Sequence, residues 1–112
     1  MMGYMAEQYV YVIQATESGR IKIGIAGNPL RRLMDLQVGS PEILELLGAA
    51  PGGRREEIRL HVELHRDRMH GEWFAMSDHV ALVVRHLLGW DRPTPQQIES
   101  QRKADELRAT LS

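Results

Sequence analysis

Alternation of apolar and polar positions near the start of the chain predicts a β-hairpin. Residues 8–14 alternate and are rich in Val, Ile and Tyr, as expected of a half-buried strand. Residues 20–25 form a second run of this kind after the turn-forming segment 16–19, and two such runs across a short turn are expected to pair. Gly24, near the end of the second run, would permit close approach of another group.

Helical spacing follows the hairpin. Asn28 is a suitable N-cap with Pro29 at the first helical position, and an apolar stripe continues as far as Gly39, which predicts the first helix. Residues 42–48 are interpreted as a third strand, with a helical turn as the alternative. From residue 54 to residue 69 apolar positions recur three or four apart, which predicts a second helix.

The remaining elements are shorter or more polar. Residues 71–74 are expected to be extended, and Ser77 or Asp78 to cap a helix that ends at Gly89. The composition becomes polar after Pro95. The order of elements predicts an α/β (α+β) fold with a short central sheet, in a domain of residues 1–90 followed by a helical tail of residues 91–112.

Composition limits the class of protein. The 112 residues, 43% hydrophobic and 26% charged, suit one globular domain. The chain has no cysteine and a net charge of -1, so thiolate metal sites and a basic surface over the whole chain are excluded. Local basic patches remain open, but strong unaided binding of DNA is not expected. The N-terminus shows no signal-peptide pattern, and the apolar run 80–84 is too short to span a bilayer. We therefore expect a cytoplasmic protein without a membrane partner.

Five short motifs occur in an order that resembles the GIY-YIG endonuclease superfamily, and most closely its short phage and bacterial branch. The resemblance covers residues 8 to 75. The motifs are Val10-Tyr11, Lys22-Ile23-Gly24, Arg32, Glu57-Ile58-Arg59-Leu60-His61 and Gly71-Glu72-Trp73-Phe74. The resemblance implies a three-stranded antiparallel sheet flanked by helices. It also implies metal-dependent hydrolysis of phosphodiester bonds in DNA.

The resemblance also implies roles for single residues. Tyr11 would activate or orient the attacking water, Arg32 would bind the scissile phosphate, and Glu57 would hold Mg²⁺ or Mn²⁺. Lys22 stands where the family more often has tyrosine, and is expected to act as a base or as a phosphate ligand. Three further residues are expected to bind substrate: Arg20, Arg31 and His61.

These residue types suit the chemistry by themselves. Phosphodiester cleavage requires neutralisation of charge on the phosphoryl oxygens, for which arginine and a hard cation are suited. Mg²⁺ needs one or two carboxylates plus waters. A tyrosine with a pKa of about 10 is a poor base unless a nearby cation such as Lys22 lowers that pKa.

Other interpretations stay open on the sequence. Tyr9 shares a strand face with Tyr11, and Glu57 adjoins Glu56, so any of these could be structural. Glu57, His61 and His65 share a helical face and could bind zinc, and Glu72 could be a second acid. The alternative function is a weak or inactive nucleic-acid-binding or protein-interaction module. The tail could bind a protein partner or a second copy of the chain.

Overall fold

The computed structural model describes residues 7–90 and 95–111. The N-terminal residues 1–6, on which the signal-peptide prediction depends, lie outside the described residues. So does the predicted domain boundary between residues 90 and 91, because residues 91–94 are outside them. The division of the chain into a domain and a tail therefore stays a prediction.

The described residues form an α+β fold with a five-stranded antiparallel sheet and four helices. The strands are β1 (Tyr9–Ala15), β2 (Ile21–Ala26), β3 (Leu44–Pro51), β4 (Arg68–His70) and β5 (Trp73–Phe74). The helices are α1 (Pro29–Val38), α2 (Arg54–Glu63), α3 (Asp78–Leu87) and α4 (Pro95–Leu111). The predicted class is confirmed.

The strand order is β3-β1-β2-β5-β4. β1 and β2 form the predicted hairpin, with Tyr11 opposite Gly24, and β3 pairs with the other side of β1. The expectation of three strands is wrong, because β4 and β5 add a second small hairpin next to β2. Gly71, at φ 54°, supplies the left-handed turn that this hairpin needs.

The predicted helix over residues 54–69 is too long. α2 ends at Glu63, and a 3₁₀ turn over His65–Asp67 leads into β4. The Ala75 N–H donates to the Asp67 carbonyl at 2.7 Å, so contacts with the chain beyond β5 hold this segment out of the helix. Leu60 and Leu64, the last residues with the helical spacing, are buried, and beyond them tertiary contacts override the local helical preference.

The two faces of the sheet carry different helices. The α1 face buries Tyr11, Ile13 and Ala15 together with Leu44. The opposite face, here called the α2–α3 face, buries a larger apolar cluster. Its buried cluster contains Val10, Val12, Ile21, Ile23, Leu60, Leu64, Phe74, Val80 and Val84. β1 is therefore buried on both sides, with residues 10–13 all buried. The prediction of a half-buried strand is wrong here, and the nearly continuous apolar run is typical of a strand covered on both faces.

Capping side chains fix the starts of the first three helices. The Asn28 side chain accepts from the Arg31 N–H at 3.2 Å, and the Ser77 hydroxyl accepts from the Val80 N–H at 3.1 Å. Ser77 rather than Asp78 is therefore the cap of α3. In α2 the Glu56 carboxylate reaches back to the Gly53 N–H at 2.8 Å. Glu56 therefore caps the helix, a role that its neighbour Glu57 does not have.

α4 is a polar helix. Arg102 forms ion pairs with Glu99 and Glu106 along its surface, as expected for an exposed helix. Its large apolar residues Ile98, Leu107 and Leu111 are more than half exposed. Among the described residues, no helix is both long enough and apolar enough to cross a membrane.

Candidate functional site

The candidate site is built around the point where Tyr11 crosses β2 at Gly24. Both residues lie on the α1 face, and they are directly opposite in the hairpin. A Cβ atom at Gly24 would lie 2.5 Å from the Tyr11 Oη and 3.1 Å from the Glu72 Oε2. Any side chain larger than hydrogen would therefore displace the phenol. Gly24 is a packing requirement of the site.

Lys22 lies two residues before Gly24 on the same face of β2. Its Nζ contacts the Glu72 Oε2 at 2.8 Å and lies 5.7 Å from the centre of the Trp73 ring. The Lys22 side chain is only 9% exposed, whereas that of Glu72 is 39% exposed. Pairing with Glu72 and the ring of Trp73 compensates for the burial of the ammonium group.

The short β5 strand leaves part of the β2 edge open. β5 pairs with Ile21 and Lys22. The backbone N–H and carbonyl of the next residue, Ile23, have hydrogen-bond partners outside β5. The Ile23 N–H donates to the Glu72 carbonyl at 3.2 Å, and its carbonyl lies 2.9 Å from the His61 Nε2. Because a carbonyl can only accept, His61 Nε2 must carry the hydrogen. His61 therefore closes the edge of the sheet.

Glu57, on α2, lies close enough to Glu72 for the two carboxyl groups to interact. Glu57 is only 7% exposed. Burial raises the pKa of Glu57 above its usual range, and the charge of Glu72 raises it further. His61 lowers the pKa of Glu57, but to a smaller extent than burial and Glu72 raise it. A hydrogen bond between the two carboxyl groups raises the pKa slightly further, because it requires one of them to be protonated, and Arg54 has the smallest, lowering effect. The pair therefore favours binding of a proton or another cation.

Arg32 is the cation that contacts Tyr11. Burial raises the pKa of the Tyr11 phenol, whereas a hydrogen bond from the exposed Arg32 guanidinium lowers it and the charges of Glu72 and Glu57 raise it. The net direction is upwards. The expectation that a nearby cation would make Tyr11 a better base is thus not met. At neutral pH the phenol keeps its proton and can donate it in a hydrogen bond.

The structure separates the other predicted residues from this cluster. Arg20 lies at the hairpin end of β2, on the rim of a cavity and near Glu42. Arg31 is an exposed residue of α1 whose N–H donates to the helix cap. Tyr9 donates its hydroxyl hydrogen to the Glu7 carboxylate at 2.8 Å. Tyr11, Lys22, Arg32, Glu57 and His61 are brought together.

The zinc interpretation finds no support in the positions of the two histidines. His61 Nε2 is occupied by the Ile23 carbonyl, and His65 Nδ1 lies 2.9 Å from the Val62 carbonyl. Within residues 7–90 and 95–111, no three Asp, Glu or His side chains gather closely enough to hold a metal ion. The carboxylate pair Glu57 and Glu72 is nevertheless a suitable donor set for Mg²⁺, which usually keeps several of its waters.

The chain matches the model of a known protein family. The model of the T5orf172 domain matches residues 8–89, from β1 to the end of α3. The chain belongs to the T5orf172 domain family. This is a phage-associated domain. No curated protein and no solved structure matches the chain.

The T5orf172 match corrects the family suggested by the sequence motifs. The assignment to the GIY-YIG endonuclease superfamily is wrong, because the family model that covers these motifs is that of the T5orf172 domain. Lys22, which departs from the motif of that superfamily, is part of the T5orf172 match. Its partner Glu72 and its aromatic neighbour Trp73 lie within the match as well.

Sequence reasoning considered Glu72 but did not include it among the site residues. Nothing in the local pattern shows that a residue at a hairpin turn will meet Lys22 and Glu57, which are far away along the chain. The available signal was its position directly before the Trp73-Phe74 pair. A polar loop residue next to residues of a rigid core is a common position for a functional group.

Proposed function

We propose that this T5orf172 domain is a metal-dependent endonuclease that hydrolyses phosphodiester bonds in DNA. One observation carries the proposal. Two carboxyl groups, a guanidinium, an ammonium and a phenol converge around Gly24, although the five residues come from four separate elements and a turn. Phosphoryl transfer requires this combination of a cation site and fixed donors for oxygens that gain charge. We place the activity in the cytoplasm, which suits a chain without cysteine.

Glu57 and Glu72 would hold the metal ion, Mg²⁺ or Mn²⁺. Glu57 comes from a helix and Glu72 from a turn, and Glu57, whose pKa is raised, would lose its proton on binding a divalent cation. When bound, the ion would supply charge stabilisation and a more acidic water. Lys22 fixes the Glu72 carboxylate through their 2.8 Å contact, so it positions a metal ligand.

Arg32 and Tyr11 would bind the scissile phosphate and the attacking water. The Arg32 guanidinium is exposed and has donors left after its bond to Tyr11, so it can bind a phosphate oxygen. Tyr11, protonated because of its raised pKa, would donate to an oxygen rather than remove a proton. Its role is therefore orientation.

A plasmid-nicking assay tests the proposal. We expect nicking in Mg²⁺ or Mn²⁺ that EDTA stops, and loss of nicking in Glu57→Gln and Arg32→Gln, since each removes one charge of the cluster. Arg31→Gln is the matched control, because Arg31 precedes Arg32 on the same helix and takes no part in the cluster. Mg²⁺ should also raise the melting temperature of the native chain but not that of Glu57→Gln.

The alternative is a nucleic-acid-binding module without turnover. The ion pair between Lys22 and Glu72 favours it, because it occupies both groups in the absence of substrate. A folded protein that binds DNA equally well in EDTA and in Mg²⁺, and that gives no nicked product with either metal, would establish the alternative and refute the nuclease.

A further inference from the structure

A cavity adjoins the candidate site on the α1 face. It has a volume of about 480 Å³ and lies between α1, the segment 39–42 and the β4–β5 hairpin. Its lining includes the apolar side chains of Ala15, Leu36 and Leu44, together with Trp73 and Arg20. Volume and lining are those of a small-molecule site, with an apolar body and a few polar groups.

Trp73 connects this cavity to the candidate site. It lines the cavity, it follows Glu72 directly in the chain, and it pairs with Lys22 across the sheet. Lys22 and Gly24 are two residues apart on β2, which corresponds to about 6.6 Å along a strand. Arg32, which would bind the scissile phosphate, lies one helical turn before Asp35 and Leu36, two residues of α1 that line the cavity. The cavity therefore lies beside the proposed phosphate site.

Polar groups at the rim are available to a ligand. Among the described residues, the side chains of Asp35 and His70 form no hydrogen bond or ion pair. Glu42, in contrast, already accepts from the N–H groups of Glu17 and Ser18 at 3.1 and 2.7 Å. A carboxylate, an imidazole and a guanidinium beside an indole ring provide both donors and acceptors for the edge of a nucleobase.

We infer that this cavity binds the nucleobase next to the scissile phosphate. The inference rests on the proposed nuclease function and specifies its substrate. A base inside a duplex is covered on both faces by its neighbours, so entry into a cavity requires an unstacked base. The substrate is therefore single-stranded DNA, or DNA that is locally opened at the cleavage point, and Trp73 supplies the stacking surface. Arg20 lines this cavity and lies apart from the proposed phosphate site, so its substrate contact would be with the base.

Binding can be measured without cleavage. The chain has two tryptophans, so Trp90→Phe leaves Trp73 as the reporter of fluorescence. In EDTA we expect saturable quenching by deoxyadenosine 5′-monophosphate and much weaker quenching by deoxyribose 5-phosphate, which lacks the base. Arg20→Gln should weaken the nucleotide response several-fold, while the matched control Arg66→Gln, an exposed arginine outside the cavity, should not. Equal responses to both ligands, or no saturable response, would overturn the inference.

A second measurement uses the cleavage reaction. Once the cut position in a single-stranded oligonucleotide is mapped, an abasic residue placed beside the cut should lower kcat/KM roughly tenfold, the usual loss when one base–aromatic stack is removed. In Trp73→Leu the intact oligonucleotide should already show this loss, and the abasic residue should add little. Full sensitivity to the abasic residue in Trp73→Leu would refute the assignment.

The two proposals can fail separately. Selective quenching by the nucleotide in a protein that cuts nothing would retain the base site and reject the nuclease. Metal-dependent cutting without any effect of the abasic residue would do the reverse. Circular dichroism of each variant establishes that the fold is intact before either result is interpreted.

Discussion

The two faces of the sheet differ in what they bury. The α2–α3 face contains an apolar cluster in which Ile21, Ile23 and Phe74 are fully covered. The α1 face buries a phenol and an ammonium group and leaves a cavity open beside them. Burial of polar groups costs free energy unless each finds a partner. The comparison indicates that burial on the α2–α3 face stabilises the fold. This stabilisation offsets the free-energy cost of burying polar groups on the α1 face.

Substitution in β5 should show this difference most strongly, because neighbouring residues in this strand belong to opposite faces. Phe74→Ala removes a ring with no exposed surface and should lower the free energy of unfolding by about 3–5 kcal/mol. Trp73→Ala, on the half-buried α1 side, should cost less although the side chain is larger. Urea denaturation of both variants measures the two losses. A larger loss for Trp73→Ala would contradict the assignment of stability to the α2–α3 face.

Gly24→Ala should damage the site directly. The new methyl group would meet the Tyr11 Oη and Cζ at 2.5 and 2.7 Å, so the ring must move, at a cost of about 1–3 kcal/mol. We expect this loss of stability together with loss of nicking. Tyr11→Leu should relieve much of the cost in the double variant, a non-additivity that shows direct contact. Gly39→Ala is the control, because its added Cβ has no atom within 4 Å; a similar loss there would mean that the effect is not specific to Tyr11.

Two adjacent glutamates should respond to pH in opposite directions. Burial, together with Glu72, raises the pKa of Glu57, so its contribution to stability is present below the unfolded pKa and is lost as pH rises through the folded pKa. The hydrogen bond from the Gly53 N–H lowers the pKa of Glu56, so its contribution is present above the unfolded pKa and is lost as pH falls through the folded pKa.

Thermal melts in EDTA across the acid-to-neutral range measure these contributions. Glu57→Gln should melt higher than the native chain at neutral pH and lose that advantage in acid. Glu56→Gln should melt lower at neutral pH, with a difference that shrinks in acid. Loss of stability in Glu57→Gln at neutral pH would show that the carboxylate pair is not a source of repulsion.

His61 should give the smallest effect. Its Nε2 donates to the Ile23 carbonyl at 2.9 Å, and its ring packs edge-on against Phe74 with centroids 5.2 Å apart. His61→Ala should cost about 1–2 kcal/mol, the sum of a net hydrogen bond and a lost ring contact. Substrate KM should change little, because the ring serves the sheet edge. An unchanged stability with a large increase in KM would restore the predicted substrate-binding role of His61.

The elements that local pattern controls could be predicted from the sequence. Two apolar runs on either side of a turn predict the β1–β2 hairpin, although not the burial of β1 on both faces. Caps and spacing predict the start and end of α1 and the start of α3. The motifs also predict a site of four residues, Tyr11, Lys22, Arg32 and Glu57, and the structure brings them together. Strand pairing, helix caps and turns depend on residues close together in the chain, so the sequence contains their signals.

Tertiary structure decided what depends on residues far apart in the chain. Residues 68 and 69 lie within the predicted helix but belong to β4, because pairing with β5 and the contact between Ala75 and Asp67 outweigh a weak local preference. The partner of Lys22 is Glu72, fifty positions away, and the pKa of Tyr11 is raised because burial outweighs the adjacent arginine. Burial and long-range charge are properties of the folded chain, and no local pattern of residues specifies them.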